Sequence, residues 1–458
     1  MKRRHMMGLV LAFCCTLAIT EGAATAGTVS VYNVRDYGAT GLGVVSDRIA
    51  IQDAIDAAAL GVPGPFGGRL YGGTVYFPPG TYKIDQSLIV RKSGITLSGN
   101  LGGTLGSDAF GAVIDPQGIF AIAVAGDAAP CGSNVPSPTV LYSVRIENLY
   151  FTGIHQPVGG TTICATHVNT FSISNVIILQ PYNGIHVHDF NGVTMDRIYI
   201  SFPQTTFGVW LSAGGVNGVP EPTDNQHKSD IADLENVVIT GIIGAAHSVI
   251  IDGAVSTVSG RKVYSIASRG VGLYVTNNVG ATRVPQFITM YGFEADYPML
   301  EGIRLETGGK YFFTDTQIHG SHTSHNIAIY SAVTSASFIG GFSDSACGAG
   351  LDTYGRGVTV QGMDFSFNSE GTAADLLCMV AAATWSGLVV ESGSQMTIIN
   401  GNKFDGATQK YGIIVASAAS QFAVTGNVIV NPLTGSILNS AGAAGLVGNN
   451  YCSKAPCG

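Results

Sequence analysis

Side chains able to transfer protons are concentrated between residues 287 and 325. Glu294 and Asp296 are separated by one residue, and Asp315 and Gln317 repeat that spacing farther along the chain. Three of the chain's 10 histidines follow directly, at His319, His322 and His325. Carboxylic acids and imidazoles exchange protons at moderate pH, so this segment is the first candidate for acid–base chemistry.

One chemistry that these residues could perform is β-elimination in a polymer of uronic acids. Such a lyase neutralises the sugar carboxylate, removes the neighbouring ring proton and protonates the leaving oxygen. In this interpretation His319 or His322 is the base and Arg304 or Lys310 neutralises the substrate. The carboxylates would then be available to hold Ca²⁺.

Glycoside hydrolysis is the alternative chemistry, because it uses two carboxyl groups. These groups lie about 5–5.5 Å apart in retaining enzymes and about 6.5–9.5 Å apart in inverting enzymes. Glu294 with Asp315, or Asp296 with Asp315, could form the pair. The hypothesis for the site therefore has two parts: a catalytic set, Glu294, Asp296, Asp315, His319 and His322; and a substrate-binding set, Tyr291, Arg304, Lys310 and Gln317.

A second polar group, His186, His188 and Asp189, fits a strand and its corner better than a site. Outward carboxylates on a regular surface are also commonly just solvated. A non-enzymatic glycan-binding protein therefore stays open as a third hypothesis.

Short apolar strands recur along the chain, and these would position the candidate residues. Near the C-terminus each strand is interrupted by a glycine, at Gly340, Gly362, Gly401, Gly426 and Gly448. Three of the four intervals are 22 to 25 residues long, which is typical of a β-solenoid whose stacked coils share one core. The longer interval from Gly362 to Gly401 requires either an extra coil or an insertion.

Stacking of such coils would place side chains one coil apart next to each other. We expect Asp315 to lie beside Glu294, and Gln317 beside Asp296, on neighbouring coils. Alternation along the strand should point Phe293, Ala295 and Tyr297 inward and the two carboxylates outward.

One amphipathic helix is predicted over 46–60, with Ser46 as its N-cap. Ile51, Ala54, Ile55 and Ala58 fall on one helical face. The helix should cover the open edge of the first coil, which would otherwise promote aggregation.

Residues 1–26 have the order of a secretory signal peptide. A basic start and an uncharged apolar run lead to a small-residue cleavage site, with the cut expected after Ala26. We therefore expect a secreted or periplasmic protein whose residues 27–458 form a single β-helix domain. Six cysteines remain after cleavage, and we favour disulfides between sequence neighbours: Cys131–Cys164, Cys347–Cys378 and Cys452–Cys457.

The net charge of −8 argues against nucleic-acid binding, because phosphates require cationic partners. The apolar run of the leader is too short to span a bilayer. We expect a polysaccharide partner and no membrane or nucleic acid, with the chain acting as a monomer or a homotrimer.

The N-terminal region resembles the pectate-lyase-like superfamily. The resemblance rests on three segments: 31–41 (VYNVRDYGATG), 46–55 (SDRIAIQDAI) and 72–82 (GGTVYFPPGTY). It implies a right-handed parallel β-helix of the kind shared by polysaccharide lyases, epimerases, glycosidases and tailspikes. Residues 291–296 (YGFEAD) also resemble the start of an alginate epimerase motif but differ from it at Glu294, Ala295 and Asp296. A complete set of polygalacturonase motifs is absent, and residues 320–322 (GSH) match only a fragment of one.

The resemblance and the repeat together predict an all-β fold with an N-terminal capping helix. The predicted function is a secreted enzyme that cleaves a uronic-acid polysaccharide by β-elimination. Glycoside hydrolysis and tailspike-like glycan binding are the alternatives.

Overall fold

A computed structural model describes residues 30–63, 69–70, 72–101, 111–126, 139–214, 229–241, 246–369, 378 and 384–457. The predicted leader lies outside these residues. Parallel strands in this part of the chain form one continuous sheet of 34 strands that coils into a right-handed parallel β-helix. The predicted fold class is therefore confirmed. The assignment of 27–458 to a single domain stays a prediction.

Three parallel ladders, here called A, B and C in the order in which each coil passes through them, make the walls of the helix. Seven longer strands pass from one ladder into another: Arg145–Thr152, Thr161–Leu179, Asn183–Ser201, Ser229–Thr240, Val255–Ile266, Ile303–His319 and Ala336–Asp344. The other strands of ladder A are Val31–Asn33, Gly73–Tyr76, Ile95–Ser98, Leu141–Tyr142, Gln286–Tyr291, Val358–Gln361, Ile398–Asn400, Ala423–Thr425 and Leu446–Gly448.

The other strands of ladder B are Leu42–Ser46, Gly80–Ile84, Ala112–Pro116, Glu294–Asp296, Asp364–Ser366, Lys403–Asp405, Val428–Val430 and Tyr451–Cys452. Those of ladder C are Leu88–Val90, Phe120–Val124, Phe207–Ala213, His247–Gly253, Leu273–Thr276, Ile327–Val333, Leu351–Thr353, Leu388–Val390, Tyr411–Val415 and Gly435–Asn439. A separate antiparallel pair joins Val62–Pro63 to Arg69–Leu70, and in the described residues short 3₁₀ helices span Val34–Tyr37 and Gly442–Ala444.

The long interval between Gly362 and Gly401 is an insertion and not an extra coil. Val360 pairs directly with Ile399 in ladder A, and Phe365 pairs with Phe404 in ladder B. The aligned phenylalanines stack inside the helix with ring centroids 5.0 Å apart. Because the sheet hydrogen bonds and the core run straight past the insertion, the coil stack stays regular there.

Left-handed residues turn the chain between ladders A and B. Asn148, Asn175 and Asn236 have φ between 52° and 56° at this corner. Farther along, the buried side chain of Asn427 hydrogen-bonds to Asn402 and Asn450 in the two adjacent coils. Asparagine suits the corner because it tolerates this backbone region and its amide satisfies neighbouring backbone groups.

The capping helix spans Arg48–Leu60, so it begins slightly later than predicted. Its N-cap is Asp47, whose side chain caps no helix N–H and instead accepts hydrogen bonds from Thr40 and Gly41. Ser46, the predicted N-cap, lies one residue before the observed cap, and its Oγ accepts a hydrogen bond from Arg48 N–H. The predicted apolar face is confirmed, with all four of its residues buried against the first coils.

Two of the predicted disulfides are confirmed, Cys347–Cys378 and Cys452–Cys457. Cys164 is also disulfide-bonded, while Cys131 lies outside the described residues. Within the described residues, no helix combines the length and apolar character needed to cross a membrane.

Candidate functional site

Five of the predicted site residues lie together at ladder B and the connection that leaves it. Glu294 pairs with Gln317, and Asp296 pairs with His319. His322 follows in the connection from ladder B to ladder C, with its ring 6.0 Å from that of Tyr297. Burial, followed by the neighbouring Asp296, raises the pKa of Glu294.

The predicted pairings of Glu294 with Asp315 and of Asp296 with Gln317 are wrong. The observed partner of Glu294 is Gln317, so this coil is longer than the sequence interval suggested. Asp315 consequently lies at the left-handed corner before ladder B, with φ of 53°, and not beside Glu294. Two extra residues in a coil shift every later outward side chain to the next outward position. The sequence spacing alone therefore predicted both pairs incorrectly.

The predicted cations and the aromatic residue lie away from these carboxylates. Arg304 is on ladder C, where it pairs with Tyr274. Lys310 occupies the corner between ladders C and A, with its Nζ 4.2 Å from the ring centroid of Phe287. Tyr291 ends a strand of ladder A and is exposed. The nine predicted residues therefore do not form one site.

A hydrogen-bonded chain links three successive coils in the ladder B cluster. His319 Nδ1 bonds to Asp344, and His319 Nε2 lies 3.1 Å from the Tyr297 hydroxyl. Tyr297 was predicted to point inward but is exposed, because its φ of 50° turns the chain at the end of the strand. The phenol, imidazole and carboxylate could together carry a proton.

The second histidine group lies on a strand and its corner, as predicted. His186 and His188 occupy Asn183–Ser201 on ladder C, and Asp189 follows with φ of 49°. The ring nitrogens His186 Nε2 and His188 Nδ1 lie 2.7 and 2.8 Å from the Ser212 hydroxyl. Both histidines are buried, and burial lowers the pKa of His186 well below its usual value.

A pocket of about 340 Å³ opens on the outer face of ladder C, and its position follows from one small residue. The outward column here runs from Arg304 through Ala328 to Asp352 in successive coils. The methyl side chain of Ala328 leaves a space between the two long polar side chains. The residues that line the pocket are Glu301, Ser324, His325, Ala328, Ile329, Tyr330, Ser331, Asp352 and Tyr354.

Asp352 is the most perturbed acid of this pocket. It is only 5% exposed, and burial, with Glu391 nearby, raises its pKa to about 7. Oδ1 has no hydrogen-bond partner in the described part of the chain, while Oδ2 lies 3.6 Å from His325 Nε2. A carboxyl group that keeps its proton near neutral pH is suited to general acid catalysis.

His325 is neutral and held in one tautomer. Its Nδ1 accepts the Ala349 N–H at 2.8 Å, so the ring proton resides on Nε2 and points towards Asp352. Burial lowers the pKa of His325 to about 4. The imidazole therefore lies beside Asp352 without adding charge to the pocket.

Glu301 supplies a second buried carboxylate. It is 5% exposed, and its Oε1 accepts a hydrogen bond from the Ser324 hydroxyl at 2.9 Å. Its Oε2 lies 3.9 Å from Arg304 Nη1 and has no hydrogen-bond partner within the described ranges. Glu301 and Asp352 both line the pocket, and each has one buried oxygen without a hydrogen-bond partner among the described residues.

Arg304 is fixed by carboxylates and aromatic rings. Its guanidinium is 2.7 Å from Glu306 and lies between Tyr274 and Tyr330, at 5.6 and 4.8 Å from their ring centroids. Burial favours protonation of Glu306, but hydrogen bonds from Thr276, Tyr274 and Arg304 outweigh it and lower the pKa of Glu306. Arg304 is therefore already neutralised by an ionised partner.

Two partly exposed tyrosines, Tyr330 and Tyr354, border the pocket. Aromatic faces with a polar edge are suited to packing against sugar rings. The pocket therefore combines two buried carboxyl groups with two tyrosines. It lies on an elongated face, where an extended chain could bind.

Sequence reasoning found Arg304 but missed Glu301, Tyr330, Asp352 and Tyr354. The signal was available in principle, because Arg304, Ala328 and Asp352 recur at one constant interval along the chain. That spacing could not be interpreted without knowing which ladder each strand joins. Among the described residues, no group of three or more His, Cys, Asp or Glu is arranged to hold a metal ion.

Residues 31–196 match the family model described as rhamnogalacturonase A/epimerase, pectate lyase-like. The A-module of mannuronan C5-epimerase AlgE6 from Azotobacter vinelandii has the same fold, with a TM-score of 0.51, 16% identity, and coverage of 93% of this chain and 99% of that one. Residues 31–196 are therefore of the pectate-lyase-like type, as predicted from the sequence. Tailspike protein 3 of bacteriophage CBA120 shares the fold with a TM-score of 0.63 at 13% identity, covering 93% of this chain and 62% of that one.

Sequence matches between this chain and curated relatives are short. AlgE6 is 46% identical over 71 residues, which are 15% of this chain and 7% of the relative. Plasmin and fibronectin-binding protein A of Streptococcus pneumoniae is 51% identical over 59 residues, 13% of this chain and 7% of that protein. The relatives thus include a polysaccharide-modifying enzyme and a protein named for binding other proteins.

Proposed function

We propose that this chain hydrolyses glycosidic bonds in a polysaccharide that lies along ladder C. The observation that carries the proposal is Asp352, a buried carboxyl with a pKa of about 7 that shares a pocket with a second buried carboxylate. Two carboxyl groups in different environments are what glycoside hydrolysis requires.

Asp352 would donate its proton to the glycosidic oxygen, with the neutral His325 ring 3.6 Å from its carboxyl group. Glu301 would stabilise the positive charge that develops on the sugar or activate a water molecule. The two residues belong to coils two steps apart, so their backbones are roughly 9.6 Å apart along the axis. In this proposal the space between the two carboxyl groups holds the attacking water, as in inverting enzymes.

Incubation of the full chain with a panel of neutral and acidic polysaccharides tests the proposal. We expect new reducing ends without absorbance from unsaturated sugars, and loss of this activity in Asp352→Asn. The matched control is Asp53→Asn, an exposed carboxylate on the capping helix. Full activity in Asp352→Asn would refute the assignment.

A uronide lyase, as predicted from the sequence, is the second candidate. The name of the relative AlgE6 refers to mannuronan, a uronic-acid polymer. Lyase activity would appear in the same incubation as ultraviolet absorbance of unsaturated uronides. Against it stands Arg304, which is held by Glu306 and Glu301 and so is poorly placed to neutralise a substrate carboxylate.

The ladder B cluster is the alternative location for catalysis. Glu294, Asp296 and His319 lie on adjacent outward positions there, as described above. Glu294→Gln, Asp315→Asn and His319→Gln should keep nearly full activity if the ladder C pocket is the active site. If Glu294→Gln or His319→Gln lowers the activity more than tenfold and Asp352→Asn leaves it unchanged, the active site is at ladder B.

If polymers bind and no glycosidic bond is cleaved, the protein is a tailspike-like glycan-binding protein and not an enzyme. Secretion through the leader at 1–26, the choice between monomer and homotrimer, and the use of Ca²⁺ remain predictions. Purification from the culture medium, light scattering and activity after chelation would test them in turn.

A further inference from the structure

We propose that the ladder C pocket takes an uncharged sugar unit and rejects a uronate. This inference rests on the proposed function in one respect only, the assignment of the pocket as the glycan site. The proposed substrate is a neutral sugar, whereas the sequence predicted a polymer of uronic acids.

The pocket offers hydrogen-bond acceptors that need donors. Glu301 Oε2 and Asp352 Oδ1 are buried and have no hydrogen-bond partner within the described residues. A buried polar atom without a partner is costly, so a ligand that donates hydrogen bonds to both is favoured. Sugar hydroxyls are such donors, whereas a carboxylate only accepts.

The described lining of the pocket also offers no free cation for an acidic sugar. Among these lining residues, His325 is the one basic side chain, and burial lowers its pKa to about 4. Arg304 beside the pocket is within 2.7 Å of Glu306 and 3.9 Å of Glu301. A uronate in the pocket would therefore lie near the Glu301 carboxylate, while the Arg304 guanidinium is already neutralised. Like charges placed side by side weaken binding severely.

Asp352 does not remove this selectivity. Its protonated form could donate a single hydrogen bond to a carboxylate at acidic pH. Above the pKa of about 7 it becomes a second negative charge in the pocket, even though neighbouring Glu391 opposes its ionisation. Discrimination against uronates should therefore increase between pH 6 and pH 8.

Matched pairs of polymers isolate the effect of the carboxylate. Glucuronan, mannuronan and galacturonan would each be compared with the same polymer after chemical reduction of its carboxyl groups, which preserves chain length and linkage. Binding of the full chain is measured by affinity electrophoresis at pH 6 and pH 8. We expect at least one reduced polymer to bind on the order of 100-fold more tightly than its acidic parent.

Glu301→Gln should lower this ratio at least tenfold, because it removes the fixed negative charge. Glu235→Gln is the matched control, since Glu235 is exposed on ladder A, and it should leave the ratio unchanged. Equal or tighter binding of every acidic parent overturns the inference, and so does binding to no member of any pair.

Failure of the inference and failure of the proposed function give different results. Binding to a reduced polymer without release of reducing ends would refute hydrolysis and leave the neutral-sugar inference standing. Cleavage confined to an acidic parent would refute the inference, with hydrolysis or elimination then decided by the absorbance of the products.

Discussion

Replacement of Asp352 by asparagine should make the protein less active and, at alkaline pH, more stable. The carboxyl has a pKa of about 7 in the folded protein, against 3.8 as its ordinary value. Below about pH 4 both folded and unfolded chains carry the proton, so burial of the carboxyl costs no ionisation energy. Between pH 4 and 7 the unfolded chain loses its proton first, and the folded state becomes progressively less stable.

The magnitude follows from the two pKa values. A difference of about 3 in pKa corresponds to about 4 kcal/mol, all of it present above pH 7. The asparagine side chain has no charge to bury, so Asp352→Asn should recover most of this free energy at pH 8 and little at pH 4. For a chain of this length that is a rise in Tm of roughly 4–8 °C at pH 8.

Thermal melting at pH 4, 6 and 8, followed by circular dichroism, measures the effect, with Asp53→Asn as the exposed control. Hydrolysis measured in parallel should fall about 10²–10⁴-fold in Asp352→Asn. In the unaltered protein, activity should decline above pH 7 as Asp352 loses its proton. If Asp352→Asn melts at the same temperature as the parent protein at pH 8, the pKa of Asp352 is not raised by burial. Asp352 would then not be the general acid.

Three further perturbations test the pocket and the frame that supports it. Ala328→Leu should fill the pocket, reduce hydrolytic activity at least tenfold and change Tm little. If the variant binds the same glycans as tightly as the parent protein does, the pocket is not the binding site. Arg304→Met should cost about 1–3 kcal/mol because Glu306 and Glu301 lose their partner, and adding Glu306→Gln should restore part of the lost Tm. Asn427→Ala removes buried hydrogen bonds to Asn450 and to the Ile399 carbonyl. We therefore expect the free energy of unfolding to fall by about 2–3 kcal/mol and the C-terminal coils to be proteolysed faster. An unchanged rate of proteolysis would contradict a structural role for the hydrogen bonds between these asparagines.

The fold could be predicted from the sequence because its determinants are local and repeat. Apolar alternation sets the inward face of each strand, and left-handed asparagines and glycines set the corners. Each coil repeats these signals, so an error in one coil leaves the prediction intact. The amphipathic helix was predicted on the same grounds, and only its first turn differed.

The site could not be predicted in this way, because it depends on register between coils. The sequence interval suggested that Glu294 pairs with Asp315, whereas the longer coil in the structure pairs Glu294 with Gln317. Arg304 is close in sequence to Glu294 but lies on a different wall of the helix. Coil lengths vary with every insertion at a corner, and they decide which side chains meet.

The sequence by itself therefore determined a coiled stack of short parallel strands with a capped first edge and an acidic, glycine-rich character. Only the tertiary structure brought Glu301, Ala328 and Asp352 from three successive coils to one pocket and buried the two carboxyls there. The physical reason is that a strand's pattern of apolar residues specifies which face is inward. The partner opposite each outward residue is specified by the lengths of the turns in between, and the burial that shifts the pKa of Asp352 arises only once those coils are stacked.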